Sequence, residues 1–480
     1  MTPDSQSGTT AVNIPFTSWQ KLILTLLCCA DCMVVLDFSI VNVAVPSIQK
    51  ALGFTPETIQ WLFTGYGIVF GGFLLLGGKL SDLFGRKHIF LGGTALFTFA
   101  SLLGGFSTTP TMLIAMRCLQ GLGAALLTPA ALALLMGAFD EGPQRNRALG
   151  IWGTVAAAGY SIGVVMGGIL TAFFGWRWIL FVNVPLGIAL FFMVLRLVKE
   201  APLPKQKIKL DILGSVLVTS GLMLLVYALV QASAAGWTSW ATWRLFGTSF
   251  LLIAGFIVVE MRTEQPLMPL RIFLMPGIAV SNLIITFLSA AMVAMNLILT
   301  LYFQQILGYA PLHTGLVFLP HGIMASIAGP WGGKLANRFG PKAVLLAGTL
   351  LGTTGLGLLA LIQTHDTYWF HVLPATLLIS CGVMPAFVTL MILATSGAKP
   401  DEHGLVSGIL NTTGQLGGAI GLAVMVAVAA GTTAHLKLAG LVNGTDAVLS
   451  GYRMALATGA AFLAISFLIG WLGLQRKSGA

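Results

Sequence analysis

The hydrophobic pattern of this chain consists of long apolar segments separated by short polar loops. A helix needs roughly 20 apolar residues to cross the hydrocarbon core of a bilayer, and segments of that length recur along the whole sequence. They predict fourteen helices, at 20–46, 58–80, 88–107, 111–138, 147–173, 177–198, 211–232, 242–261, 277–306, 312–334, 341–363, 370–396, 404–430 and 451–474. The expected fold class is therefore an all-α polytopic membrane protein.

Composition agrees with this pattern, because hydrophobic residues make up 56% of the 480 positions and charged residues only 8%. Soluble domains carry roughly a quarter charged residues. The sequence has no phosphate-binding glycine loop, zinc-protease signature or nucleophile elbow. We therefore expect neither an ATP-driven pump nor an enzyme, and no cofactor or metal site.

The basic residues predict the orientation of the chain in the membrane. Most of the 25 Lys and Arg residues fall in alternate short loops, which is the positive-inside pattern and not a nucleic-acid-binding patch. Both termini are thereby placed in the cytoplasm. The first apolar segment is too long for a cleaved signal peptide, so we expect it to remain as a membrane helix.

An internal repeat predicts the domain organisation. The basic, glycine-containing loop at 77–87 has a weaker copy at 332–342, which is typical of a duplicated secondary transporter. The interval between the copies is longer than six helices require, so two extra helices are expected between two six-helix bundles. The predicted units are a cytoplasmic tail (1–19), an N-terminal bundle (20–198), linkers with two extra helices (199–276), a C-terminal bundle (277–474) and a second tail (475–480).

Ionisable side chains in the middle of membrane helices are costly and are candidates for function. Of the fifteen acidic residues, only Asp31 and Asp37 fall inside a predicted helix, away from its ends. A carboxyl group in a low-dielectric medium can change protonation near neutral pH, so Asp37 is the candidate proton carrier. Arg117 is the candidate fixed charge beside it. The alternatives are a static buried ion pair, and an arginine held by helix carbonyl groups.

Asp31 precedes Asp37 by about 9 Å on the same helix and lies on a different face. It is therefore a candidate second titrating group, a gate residue, or a residue hydrogen-bonded to a neighbouring helix. The run at 159–168 contains glycines at four-residue spacing, which favours close approach of another helix. The candidate cavity residues are the polar residues Asn42, Tyr66, Tyr160, Asn296 and His321. His321 could titrate near neutral pH, and helix-to-helix hydrogen bonding is the alternative for each of the five.

These residues together resemble a known family. The loop at 78–91 is similar to the signature loop of the major facilitator superfamily. The segments at 36–46, 117–125, 159–168, 176–185, 59–66, 268–273 and 404–418 resemble its fourteen-helix drug:proton antiporter branch. The resemblance covers nearly the whole chain.

The resemblance implies an alternating-access antiporter that exports amphipathic drugs or metabolites in exchange for protons. It implies a proton-coupling role for Asp37 with Arg117, and a cytoplasmic lock in which Asp82 and Arg86 pair and cap a helix N-terminus of the other half. The gating residues implied by the two motifs are Gly78, Asp82, Gly85, Arg86 and Lys87 in the loop, and Gly159, Gly163, Gly167 and Gly168 in the glycine run.

The sequence departs from this family pattern at two positions. Val164 replaces the proline that usually follows the second glycine of the antiporter motif, and Thr64 replaces an acid found in relatives that export organic dications. The C-terminal bundle also lacks a mid-membrane acid. We therefore expect neutral or singly charged amphipathic substrates.

The expected partners are such a substrate, protons and the lipid bilayer, without nucleic acid, and the expected protein is a monomer of the bacterial inner membrane. One alternative keeps the fold but has the protein act as a proton symporter or as a transporter of lipids or lipid precursors. A non-transporting sensor is a further alternative, and it would need a signalling segment that neither short tail supplies.

Overall fold

The computed structural model describes residues 15–55, 58–139, 143–198, 211–235, 239–264, 266, 268, 270–275, 277–364, 367–396, 403–438 and 444–474. Most of the predicted N-terminal tail, the linker at 199–210 and the C-terminal tail at 475–480 lie outside these residues.

Within the described residues, fourteen helices are long and apolar enough to cross a membrane, as the hydrophobic pattern predicts. We number them α1 to α14. They are Ser18–Leu52, Trp61–Phe84, Arg86–Gly105, Pro110–Ala138, Pro143–Phe173, Trp178–Leu197, Ile212–Ala235, Trp240–Arg262, Ile278–Ile306, Pro311–Phe339, Pro341–Leu359, Tyr368–Thr395, His403–Leu438 and Gly444–Gly473.

Helix α1 is longer than the sequence predicts. It begins after Thr17, whose hydroxyl accepts the backbone N–H of Gln20 while the Gln20 side chain accepts the backbone N–H of Thr17. It continues through Pro46 to Leu52, because Ile48 beyond the proline remains buried in the bundle. The expected end of this helix at residue 46 is therefore wrong.

The helices form two bundles with one hairpin beside them. Helices α1–α6 pack among themselves, with α4 against α2 and α3, and α5 against α1. Helices α9–α14 pack among themselves, with α9 against α13 and α14, and α11 against α12. The extra pair α7–α8 forms a hairpin in which α7 packs on α2 and α13. The predicted arrangement of six, two and six helices is confirmed.

The two copies of the repeated loop form the same turn. Gly85 is the single residue between α2 and α3 and has φ +96°, and Gly340 is the single residue between α10 and α11 and has φ +83°. These dihedral angles are open to glycine and strained for a residue with a Cβ atom. The repeat in the sequence therefore corresponds to a repeat in backbone geometry.

The bundles meet along two related interfaces, α5 with α10 and α2 with α13. Each interface pairs the second helix of one bundle with the fifth helix of the other. At the α1 C-terminal end, the side-chain amide of Gln304 also donates to the Val43 carbonyl at 2.8 Å, which joins the bundles directly. Toward the opposite end, no described atom of a neighbouring element lies within 4 Å of the ideal Cβ position of Gly153 on α5 or of Gly329 on α10.

Candidate functional site

The N-terminal bundle contains a buried ion pair. Arg117 of α4 donates from Nη1 to Oδ2 of Asp37 on α1 at 2.5 Å, and both side chains are almost completely inaccessible to solvent. A charge-assisted bond of this kind is strong, and removing one partner would leave an uncompensated charge in the membrane interior. The two residues that the sequence singles out are therefore in contact.

Two amide side chains complete the surroundings of the Asp37 carboxylate. Its Oδ1 atom accepts a hydrogen bond from Nδ2 of Asn183 on α6 at 2.6 Å and another from Nε2 of Gln120 on α4 at 3.0 Å. The Gln120 amide also contacts the hydroxyl of Ser101 on α3 at 2.8 Å. Three helices of one bundle, α1, α4 and α6, thus meet at a single carboxyl group, and α3 reaches it through Gln120.

The Arg117 guanidinium has contacts besides Asp37. Its Nε donates to the Leu62 carbonyl at 2.9 Å and its Nη1 also donates to Oε1 of Gln120 at 2.8 Å. The ring of Tyr66 lies 4.5 Å from the guanidinium carbon in a cation–π arrangement. Among the described residues, Nη2 of Arg117 and the Tyr66 hydroxyl are buried without a hydrogen-bond partner. Arg117 therefore makes both the ion pair with Asp37 and a hydrogen bond to a helix carbonyl group.

The glycine run on α5 sets the distance between α5 and α1 beside this site. A Cβ atom on Gly163 would lie 1.9 Å from the Ser39 hydroxyl and 2.8 Å from the Leu36 carbonyl oxygen. A Cβ atom on Gly167 would lie 2.4 Å from the Ile40 carbonyl oxygen. The glycines therefore allow α5 to lie against the segment of α1 that carries Asp37.

The other two glycines of the run differ in what they contact. Gly159 lies next to Cys32 of α1, with 3.0 Å from its ideal Cβ position to the cysteine sulfur. Gly168 faces the other bundle, where a Cβ atom would lie 2.8 Å from the Pro311 carbonyl oxygen of α10. The glycine motif therefore has two faces: three glycines pack within one bundle and the fourth lies at the interface between bundles.

Asp31 does not join the Asp37 network. Its side chain is 7% exposed, and within the described chain its carboxylate makes no hydrogen bond or ion pair. The alternative in which a neighbouring helix holds Asp31 through a hydrogen bond is thus not seen. Its role as a titrating or gating group stays a prediction.

The five candidate cavity residues are not brought together. Tyr66 lies at the ion pair, whereas Asn42 and Asn296 donate to carbonyl groups of their own helices, those of Ser39 and Met292. Tyr160 is half-buried and packs against the main apolar core.

His321 of α10 has partners on α12. Its Nδ1 lies 2.7 Å from the Ser380 hydroxyl and 3.2 Å from the Thr376 carbonyl oxygen. For Asn42, Asn296 and His321, hydrogen bonding within and between helices is what the structure shows.

The charged residues on either side of the turn between α2 and α3 lie at the surface. Asp82 and Arg86 are 3.9 Å apart and half-exposed, and Arg86 also donates to the Ala133 carbonyl at 3.1 Å. Lys87 donates to the Leu195 carbonyl at 2.9 Å. Within the described residues these contacts stay inside the N-terminal bundle, so capping of a helix in the other half stays a prediction.

Gly77, and not its predicted neighbour Gly78, carries the closest approach in this region. A Cβ atom on Gly77 would lie 2.0 Å from the Ala125 carbonyl oxygen of α4, whereas one on Gly78 would lie 3.9 Å from Pro129. Since α4 also carries Arg117, Gly77 helps to fix the position of the ion pair.

Sequence reasoning did not assign roles to Gln120, Asn183 or Ser101. Gln120 lies three residues after Arg117, a spacing that places both side chains on one side of a helix, and this signal could have identified it. Asn183 and Ser101 offered no comparable signal, because their proximity to Asp37 depends on how α3 and α6 pack.

Comparison with known proteins gives the family. Residues 27–422 match the Major Facilitator Superfamily. The chain is 39% identical over 418 residues to the cephamycin export protein CmcT of Amycolatopsis lactamdurans, covering 86% of this chain and 85% of the relative. It is 35% identical to the puromycin resistance protein pur8 of Streptomyces alboniger, covering 96% and 92%.

Among solved structures, a bacterial homolog of the human lysosomal transporter Spinster, in an inward-facing and unoccupied conformation, has a TM-score of 0.71 at 15% identity, covering 97% of this chain and all of that one. This likeness shows the fold. Together with the fourteen membrane helices and the sequence relatives, it shows an integral membrane transporter and not an enzyme. The chain belongs to the Major Facilitator Superfamily.

Proposed function

We propose that this protein is a proton-coupled exporter of amphipathic drugs or metabolites. The observation that carries the proposal is the ion pair of Asp37 and Arg117, buried in the middle of the N-terminal bundle. Two of the relatives, an export protein for cephamycin and a resistance protein for puromycin, support the direction of transport and the substrate class.

In this proposal Asp37 carries the proton. When a proton binds to Oδ2, the carboxyl group becomes neutral and the ion pair with Arg117 is lost, while the guanidinium keeps the Leu62 carbonyl, Gln120 and the Tyr66 ring as partners. Arg117 cannot lose its own proton, so the change in charge is confined to Asp37. Release of the proton on the other side restores the pair.

Burial links this proton step to a conformational change. The Asp37 side chain is completely inaccessible to solvent, so a proton reaches it only after helices around it move. Alternating access supplies such a movement, because the two bundles rock against each other and expose the interior to one side at a time. We propose that the protein is a monomer in the bacterial inner membrane. Both termini lie in the cytoplasm in this proposal, because basic loop residues favour the cytoplasmic side.

The charge distribution supports uncharged or singly charged substrates. Among the described residues, the acidic residues other than Asp31 and Asp37 lie between helices or near helix ends. Asp37 is already paired with Arg117, so a singly charged cation could compete for it, whereas a dication would find no second carboxylate on the same face of α1, because Asp31 lies on a different face.

A susceptibility panel tests the proposal. An efflux-deficient bacterial host expressing the protein should survive higher concentrations of some amphipathic antibiotics, and Asp37→Asn should remove that protection. Asp446→Asn, which changes an acid in the first turn of α14, is the matched control and should keep it. Equal protection by Asp37→Asn and the wild type would refute the assignment of Asp37.

The alternative proton symporter or lipid transporter differs in the direction or the cargo. The direction of net substrate movement under an imposed pH gradient distinguishes an exporter from a symporter. In proteoliposomes, an exporter moves substrate opposite to the proton gradient, and a symporter moves it along with the protons.

A further inference from the structure

A cavity of about 510 Å³ lies outside the Asp37 site, where the extra hairpin meets both bundles. Its walls come from α2, α7, α8, α9 and α13. Of these helices, α2 also contributes Leu62 and Tyr66 to the ion-pair site, and neither of those residues lines the cavity. The walls are mainly apolar and include Leu75, Leu222 and Phe256. The hairpin therefore creates a chamber that a simple twelve-helix arrangement would lack.

The hairpin is held closely enough to α2 to wall this chamber. A Cβ atom on Gly72, a lining residue, would lie 2.1 Å from the hydroxyl of Thr219 on α7. This close approach fixes one side of the cavity, because neither backbone can shift without opening the α2–α7 contact.

Two described residues after α8, Pro266 and Met268, are held beside the chamber by hydrogen bonds. Lys79 of the repeated loop donates to the Pro266 carbonyl at 2.7 Å, and a Glu260 carboxylate oxygen accepts the backbone N–H of Met268 at 3.2 Å. Met268 itself lines the cavity. On the side of α9 the lining includes Leu283, which is 52% exposed and belongs to a membrane-spanning helix. An exposed lining side chain within such a helix points to access from the bilayer on this side.

Two buried polar atoms in the chamber walls have no hydrogen-bond partner among the described residues. They are Oδ1 of Asn282 and Oγ1 of Thr412, and both residues are more than nine-tenths buried. The Asn282 amide nitrogen already donates to the Ile278 carbonyl at 2.9 Å, so its oxygen is left as an acceptor. Unpaired polar atoms are costly inside a membrane, and a bound molecule with a donor would satisfy them.

We propose that this chamber is a second binding site, which takes up from the bilayer an uncharged amphipathic molecule with an apolar body and one hydrogen-bond donor. The chemistry of the walls sets this class, because the lining residues include no acidic or basic side chain and only a few polar ones. A long-chain alcohol has this chemistry, and so do uncharged amphipathic drugs.

Photolabelling of the full chain in phospholipid nanodiscs tests the site. The probe is a hexadecanol that carries a diazirine in its chain, and labelled peptides are identified by mass spectrometry. Peptides of α7, α9 and α13 should be labelled in the wild type. Ala279→Phe should lower this labelling about tenfold by filling the chamber, whereas Ala95→Phe, which adds the same ring to an exposed position of α3, should not.

The polar wall is tested by competition with unlabelled hexadecanol. Thr412→Val should weaken competition by about 2–10-fold through the loss of one hydrogen bond, while Thr354→Val, on an exposed face of α11, should leave it unchanged. Hexadecane, which has no hydroxyl group, should compete with the probe equally well for the wild type and for Thr412→Val.

Three results would overturn the proposal. They are labelling insensitive to Ala279→Phe, competition insensitive to Thr412→Val, and labelling by a diazirine phosphatidylglycerol that hexadecanol cannot displace, which would make the occupant a phospholipid. The test is independent of proton coupling, because Asp37→Asn should abolish export and keep the labelling.

Discussion

At the scale of single residues, the carboxylate of Asp37 accepts donors from two other helices. Arg117 and Gln120 approach it from α4 and Asn183 from α6, while Ser101 of α3 lies behind Gln120. A change in the charge of Asp37 therefore alters contacts that hold several helices together. We infer that this is how a local protonation can bias the position of whole helices.

Asn183 should position Asp37, and its removal should weaken coupled transport. Asn183→Leu deletes the 2.6 Å bond to the carboxylate, which is worth about 1–3 kcal/mol for a charged acceptor, or roughly 5–150-fold in the affected equilibrium. Thermal unfolding in detergent and substrate-driven proton flux measure the effect. Asn296→Leu is the control, because within the described part of the chain the Asn296 amide bonds only to the Met292 carbonyl of its own helix. Equal effects of the two variants would contradict a positioning role.

The pair of Asp37 and Arg117 could be predicted from the sequence because each is exceptional for its location in a membrane helix. Gln120 could have been added from its three-residue spacing to Arg117, whereas Asn183 could not, because Asn occurs in membrane helices with many partners. Which Asn reaches Asp37 depends on helix packing and rotation, and neither is encoded in local spacing.

At the scale of elements, the contact between α1 and α5 depends on the absence of side chains at three positions of α5. Gly163 is the most restrictive, since a Cβ atom would overlap the Ser39 hydroxyl. Four-residue spacing correctly predicted close packing. It did not reveal that Gly168 lies on a second face against α10, because a contact between bundles depends on the tertiary arrangement.

Gly163→Ala should separate α1 from α5 and destabilise the protein. Overpacking of this kind costs about 1–3 kcal/mol, and here it would also displace the backbone that carries Asp37. Gly153→Ala on the same helix is the matched control, because no atom lies within 4 Å of its ideal Cβ position. The thermal midpoint in detergent should fall for Gly163→Ala only. A similar midpoint for both variants would show that the close approach is not required.

At the scale of the whole molecule, hydrogen bonds join the two bundles near the C-terminal end of α1. Gln304 reaches the Val43 carbonyl there, and Gln305 lies 3.5 Å from Gln49. The proposed alternating access would require these contacts to break in each transport cycle.

A cross-link between the bundles at this end should therefore stop transport. Gln49→Cys with Gln305→Cys, joined by a short bifunctional maleimide, should lose most substrate flux, while each single variant treated in the same way should retain it. Undiminished flux in the cross-linked protein would mean that this end need not open.

The overall architecture was predictable because it depends on features that do not require tertiary contacts. Helix number follows from hydropathy, and the extra hairpin follows from the interval between the two copies of the repeated loop. The end of α1 was missed because burial of Ile48 outweighs the helix-breaking tendency of Pro46. The chamber beside the hairpin could not be foreseen, since five helices form it.

The central claim is that Asp37 carries the proton that drives export. Its most direct test is substrate-evoked proton flux, measured with a pH-sensitive dye in proteoliposomes that contain the purified protein. We predict that a transported antibiotic evokes proton movement with the wild type and with Asp446→Asn, and none with Asp37→Asn. Proton movement of undiminished size in Asp37→Asn would contradict the account.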